Sequence, residues 1–112
     1  MALVHSYDMT AKAGSEDALG AALQALCAAV KGIAGSQGAM VLQDRKEAQR
    51  FLFLEFWQDE ASRKAAGPQL PKEVRAQIMG AVAGQLKIAD YDQLVRSVSA
   101  MLKQVPRGRP TQ

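Results

Sequence analysis

Apolar and polar positions alternate along Leu3–Met9, where Leu3, His5, Tyr7 and Met9 share one parity and therefore one face of a strand. Ala13-Gly14-Ser15 reads as a turn, with Ser15 as the expected N-cap of a helix and Glu16 and Asp17 in its first turn. Leu19, Leu23, Leu26, Cys27, Val30 and Ile33 then recur at three- and four-residue steps, an amphipathic helix stopped by Gly32 or Gly35. Ala39–Gln43 reads as a second strand, with Met40 and Leu42 on one face and Val41 on the other. Asp44–Gln49 is a charged connector. Phe51–Trp57 is a third strand, placing Phe51, Phe53, Glu55 and Trp57 on one face and Leu52, Leu54 and Phe56 on the other. Because both faces are apolar, both must be covered. One layer of helices covers only one, so a second copy of the chain is the expected cover of the other.

A short helix capped by Asp59 is expected to run to Ala66 and to stop at Gly67-Pro68. Pro71 opens a further helix carrying Val74, Ile78, Met79, Val82 and Leu86. Residues 87–105 fit two patterns. Leu94, Val95, Val98, Met101, Leu102 and Val105 suit a helix, whereas alternation from Tyr91 to Val98 suits a strand. The order of the preceding elements asks for a strand, expected near 91–99. The whole then reads as an α+β, ferredoxin-like split βαβ arrangement, an antiparallel sheet with helices on one face, paired with a second copy.

Length and charge sharpen this picture. At 112 residues the chain is one domain, expected over 1–105, with a flexible basic tail over 106–112. The net charge of +3 is uneven: four basic and no acidic residues follow Gln93, while residues 1–92 are nearly neutral. Such a tail reads as solubilising, and nucleic acid is not expected as a partner. There is no apolar window long enough for a membrane span and no basic-then-apolar leader pattern, so no membrane partner is expected either. A single cysteine, Cys27, falls on the apolar face of the first helix. It fits a reducing compartment, and a cytoplasmic location is expected. One histidine, one cysteine and scattered carboxylates give no metal-ligand spacing, and neither a phosphate loop nor a nucleophile elbow occurs.

Glu55 stands out because a carboxylate between Phe53 and Trp57 is costly unless paired or at a pocket wall. Two uses suit it: a base of raised pKa, or a pair with Arg50, Arg63 or Lys64. His5 and Tyr7, two apart on one strand face, suit a proton relay or a semi-buried hydrogen-bonded pair. Trp57 suits either the core or the flat wall of a pocket.

The segment Gly35-Ser-Gln-Gly-Ala-Met-Val-Leu-Gln-Asp, followed by Phe51-Leu-Phe-Leu-Glu-Phe-Trp-Gln-Asp-Glu-Ala, resembles the antibiotic biosynthesis monooxygenase family over residues 3–85. The typical pattern is Pro-Gly-x-x-Gly before strand two, then a strand ending Glu-x-Trp; Ala34 stands here at the proline position. The resemblance implies a dimeric α+β barrel and oxidation of a small aromatic or quinol-type substrate by O₂, without metal, flavin or other cofactor. It puts Glu55 and Trp57 at the family's glutamate and tryptophan, and Tyr7 where the heme-degrading branch has a pocket asparagine. Several branches carry a histidine on the helix after the tryptophan. The matching stretch here, Arg63-Lys-Ala-Ala-Gly67, has none, so heme degradation is not expected. The expected catalytic residues are His5 as proton acceptor, Tyr7 as hydrogen-bond donor and Glu55 as orienting group or second base. Trp57, Phe53 and Met40 are expected to bind the substrate. The alternative is a non-catalytic homodimer that binds a small hydrophobic molecule.

Overall fold

The computed structural model describes residues 1–99; the tail expected at 106–112 lies outside them. The chain forms β1 (Leu3–Ala11), α1 (Glu16–Lys31), β2 (Ser36–Gln43), β3 (Arg50–Trp57), α2 (Glu60–Ala66), α3 (Lys72–Ala81) and β4 (Val82–Asp92), with a 3₁₀ turn at Gly67–Gln69. The four strands make one antiparallel sheet in the order β2-β3-β1-β4. This is the ferredoxin-like α+β arrangement.

Local chemistry sets most boundaries. The Asp59 carboxylate accepts the Ser62 backbone N–H at 2.8 Å and caps α2. Ser15 precedes α1 without a side-chain cap, and the acidic Glu16 and Asp17 meet the positive helix end instead. Gly35 enters β2 at φ +86°, and a Cβ there would collide with the Ser62 side chain. Its carbonyl accepts the Gln58 N–H at 2.9 Å, so the start of β2 is tied to the end of β3.

The core lies between the sheet and the helices. Trp57, Phe53, Leu19, Leu23 and Val30 are fully buried there, joined by Met9, Phe51, Ile78 and Ala81. Position parity does the sorting. Leu3, His5, Tyr7, Met9 and Ala11 of β1 and the odd-numbered residues of β3 face the helices. Val4, Leu52, Leu54, Phe56, Met40, Leu42 and Tyr91 belong to the opposite face, which carries no helix. On that face Arg50 bridges Asp8 at 2.9 Å and Asp44 at 3.4 Å, and the Arg96 guanidinium lies 4.3 Å from the centre of the Phe56 ring. Among the described residues no helix is long and apolar enough to cross a membrane.

The last strand departs from the sequence expectation. It begins at Val82, nine residues earlier than expected, and α3 ends at Ala81 rather than near Leu86. Val82, Leu86 and Ile88 satisfy a period of two as well as the helical spacing, so pattern alone does not separate the two readings. Gly80 and Gly84 weaken a helix, and eight of the eleven residues of β4 are in register with β1. The pairing slips between Asp8 and Thr10, where Lys87 and Ala83 are their partners, and Gly84 takes φ +71° within that slip.

Candidate active site

Three neighbouring strands set Glu55, His5 and Asp90 in a row on the helix-facing side, because His5 is in register with Glu55 on β3 and with Asp90 on β4. His5 is 6% exposed and Glu55 2%. His5 Nδ1 donates to the Asp90 carboxylate. That contact leaves Nε2 as the acceptor, and the Tyr7 hydroxyl stands 3.1 Å from it. The two rings meet edge to face, with centres 4.8 Å apart. The result is an ordered chain from carboxylate to imidazole to phenol.

Tyr7 alone of these carries the chain into open space. It lines a cleft of about 120 Å³ together with Met9 and Phe53 of the sheet, Leu23 and Leu26 of α1, and Leu70, Arg75, Ile78, Met79 and Leu86. Burial, reinforced by the negative charge of Glu55, pushes the Tyr7 hydroxyl up to about 12. It is therefore a neutral phenol near pH 7, able to pass a proton on but not to begin as a phenolate.

Glu55 finds a different partner from any of the three cations expected. Its Oε1 accepts the Trp57 indole N–H at 2.9 Å, while Oε2 is buried with no hydrogen-bond partner among the described residues. Arg50 is committed to Asp8 and Asp44, and Lys64 lies 3.7 Å from Glu60. Arg63 stands nearer to the row, its Nε 3.9 Å from Asp90 Oδ1. Burial raises the Glu55 carboxyl above its ordinary range, opposed by the Trp57 hydrogen bond and by the charges of His5 and Arg63, and assisted by Asp90. A carboxyl raised in this way binds its proton more tightly folded than unfolded. Its linkage makes folding stability fall as pH rises from the unfolded pKa through the folded one. Glu55→Gln is expected to flatten that decline. Urea midpoints of both proteins at about pH 4 and about pH 7 test it, and equal differences would remove Glu55 as the source.

The six residues singled out in the sequence thus separate. Tyr7 and Phe53 line the cleft, and His5 stands directly behind Tyr7. Glu55 and Trp57 form a buried pair off the cleft, Trp57 being 1% exposed. Met40 does not join them: it pairs with Leu54 on the helix-free face and is 41% exposed, because an even position on β2 points away from α1. Asp90 and Arg75 escape a reading of the sequence. Asp90 carries no local signal, since its partner is 85 residues away. Arg75 sits on the apolar helix pattern of α3 as an ordinary polar interruption. Among the described residues no three His, Cys, Asp or Glu side chains gather so as to hold a metal ion.

The model of the antibiotic biosynthesis monooxygenase family matches residues 3–66, more than half of the chain. The chain belongs to that family. No curated protein matches it significantly. Among solved structures, a protein from Pseudomonas aeruginosa is 25% identical, with a TM-score of 0.71 over 84% of this chain and 95% of that one. A protein from Mycobacterium tuberculosis is 12% identical, with a TM-score of 0.75 over 88% of this chain and 100% of that one. SnoaB, a cofactor-independent oxygenase from Streptomyces nogalater, is 10% identical, with a TM-score of 0.73 over 85% and 95%. At the identities of the last two, the likeness is one of fold.

Proposed function

We propose that this chain is a cofactor-independent monooxygenase that oxidises a small hydroxylated aromatic molecule with O₂, acting as a homodimer. The observation that carries the reading is that Tyr7 lines an apolar cleft while its hydroxyl meets His5, which is in turn held by Asp90. A substrate hydroxyl seated on Tyr7 gives its proton to the phenol oxygen as the Tyr7 proton moves to His5 Nε2. The Asp90 carboxylate stabilises the imidazolium so formed. The deprotonated ring is electron-rich and reduces O₂ itself. For a hydroquinone the balance is one quinol and one O₂ in, one hydroxyquinone and one water out. Leu23, Leu26, Ile78 and Leu86 keep bulk water from the anion. His5 in this role reaches the substrate only through Tyr7.

The reaction is tested by oxygen uptake with single-ring hydroquinones. One O₂ consumed per substrate, with a hydroxyquinone product, is expected. Saturable binding without oxygen uptake would instead make the chain a binding module.

The homodimer rests on the helix-free face. Leu42, Met40 and Tyr91 are exposed there beside half-buried Leu52, Leu54 and Phe56. This is an apolar surface of the kind a second sheet covers. Sedimentation is expected to show dimers for the parent chain and monomers for Leu54→Lys, since a buried unpaired ammonium costs several kcal/mol, about enough to undo an ordinary contact. A stable monomeric parent would remove the dimer.

A further inference from the structure

The cleft has a second polar feature that the proton path leaves unused. Of its ten lining residues, eight are apolar; the others are Tyr7, from the sheet floor, and Arg75, from α3. Among the described residues no carboxylate lies within ion-pair distance of Arg75, whereas Arg50 has two and Arg63 and Lys64 have one each. Its charge nonetheless reaches the Tyr7 hydroxyl, which it favours as the anion. An unpaired guanidinium on a rim of Leu70, Ile78 and Met79 offers a planar fork matched to a carboxylate. The size of the cleft adds a constraint. At about 120 Å³ it is near the ~150 Å³ of an apolar cavity that accepts benzene, so it seats one ring.

We propose that the ligand of this cleft is a single-ring hydroxylated aromatic acid, with its hydroxyl on Tyr7 and its carboxylate on Arg75. The inference rests on the cleft being the substrate site and goes beyond it by naming the substrate class. Aromatic burial alone would accept any ring of that size. The two polar groups at separate points of an apolar enclosure select one that is polar at two points, anionic at the one nearer solvent.

The experiment compares 2,5-dihydroxybenzoate with its methyl ester, by calorimetry under anaerobic conditions, so that binding is read apart from turnover. The acid is expected to bind about tenfold more tightly than the ester, a ratio worth about 1.4 kcal/mol. Arg75→Gln is expected to bring the ratio to about one, and Arg75→Lys to restore part of it. Lys72→Gln, which removes a charge from the same helix, is expected to keep it. Equal affinities for acid and ester in the parent chain would overturn the proposal, and so would a preference that survives Arg75→Gln. Acid-selective binding lost in Arg75→Gln, without oxygen uptake, upholds the carboxylate site while sinking the monooxygenase reading. Oxygen uptake on uncharged hydroquinones, with no preference for the acid, does the reverse.

Discussion

Tyr7→Phe and His5→Ala are each expected to lower the rate of quinol oxidation by about 10²-fold or more, the range over which a positioned proton acceptor acts. In the proposed relay the two residues are links of one path. Tyr7 touches the cleft, and His5 lies 3.1 Å behind its hydroxyl. Removing the hydroxyl leaves the substrate facing an apolar floor with no acceptor. Removing the imidazole leaves a phenol held near 12 with nowhere to pass its proton. The double variant should therefore be little slower than either single one, as for groups that act as a unit. Losses that multiply would mean that His5 and Tyr7 work separately, and the relay would be wrong. Asp90→Asn gives a finer reading. It keeps a hydrogen-bond partner for Nδ1 but removes the charge that favours the imidazolium. The loss should fall on kcat, with KM little changed. Binding of a non-oxidisable aromatic ligand by each variant separates lost chemistry from lost seating.

The largest effect on stability is expected at Trp57. Trp57→Ala should cost about 3–5 kcal/mol, the usual range for truncating a buried tryptophan. The ring is fully enclosed, in register with Leu3 of β1 and Ser36 of β2, so the vacated space has sheet on both sides and little freedom to close. A further cost comes from its neighbour. The indole N–H is the hydrogen-bond donor to Glu55, whose other oxygen has no partner among the described residues. Trp57→Phe separates the two contributions by retaining most of the ring volume while removing the donor. It should cost about 1–3 kcal/mol, the penalty of a buried polar group left unsatisfied. It should also raise the Glu55 carboxyl further, making the fall in stability with rising pH steeper. Trp57 is the only tryptophan in the chain, so circular dichroism rather than fluorescence is the readout. A Trp57→Phe protein as stable as the parent would show that the Glu55 hydrogen bond contributes nothing net.

Much of the fold and part of the site are legible along the chain. Residue parity along Leu3–Met9 and Phe51–Trp57 defines the faces of β1 and β3, because a strand can only send successive side chains to opposite sides. By that rule His5 and Tyr7 share one face of β1, and Phe53, Glu55 and Trp57 share one face of β3. The Asp59 cap and the Gly67-Pro68 stop are local events, visible locally. The Glu-x-Trp strand end carries the family. Met40 lies on the helix-free face, away from the cleft that Tyr7 lines, and its alternation does not reveal this. Parity on one strand says nothing about which side the helices take until neighbouring strands are in register.

What the chain settles by itself is periodic and short-range: which residues share a face, where most helices start and stop, and that β3 is apolar on two sides. Only the tertiary structure decided the rest. It set the start of β4 at Val82, where β-pairing with β1 outweighed a helical spacing the residues also satisfied. It brought Asp90 to His5 across the sheet, and it gave Glu55 the Trp57 indole in place of a cation. Those choices turn on partners far apart in sequence, or on contacts of comparable energy that compete for one group. Packing of the whole domain, which no local pattern encodes, selects among them.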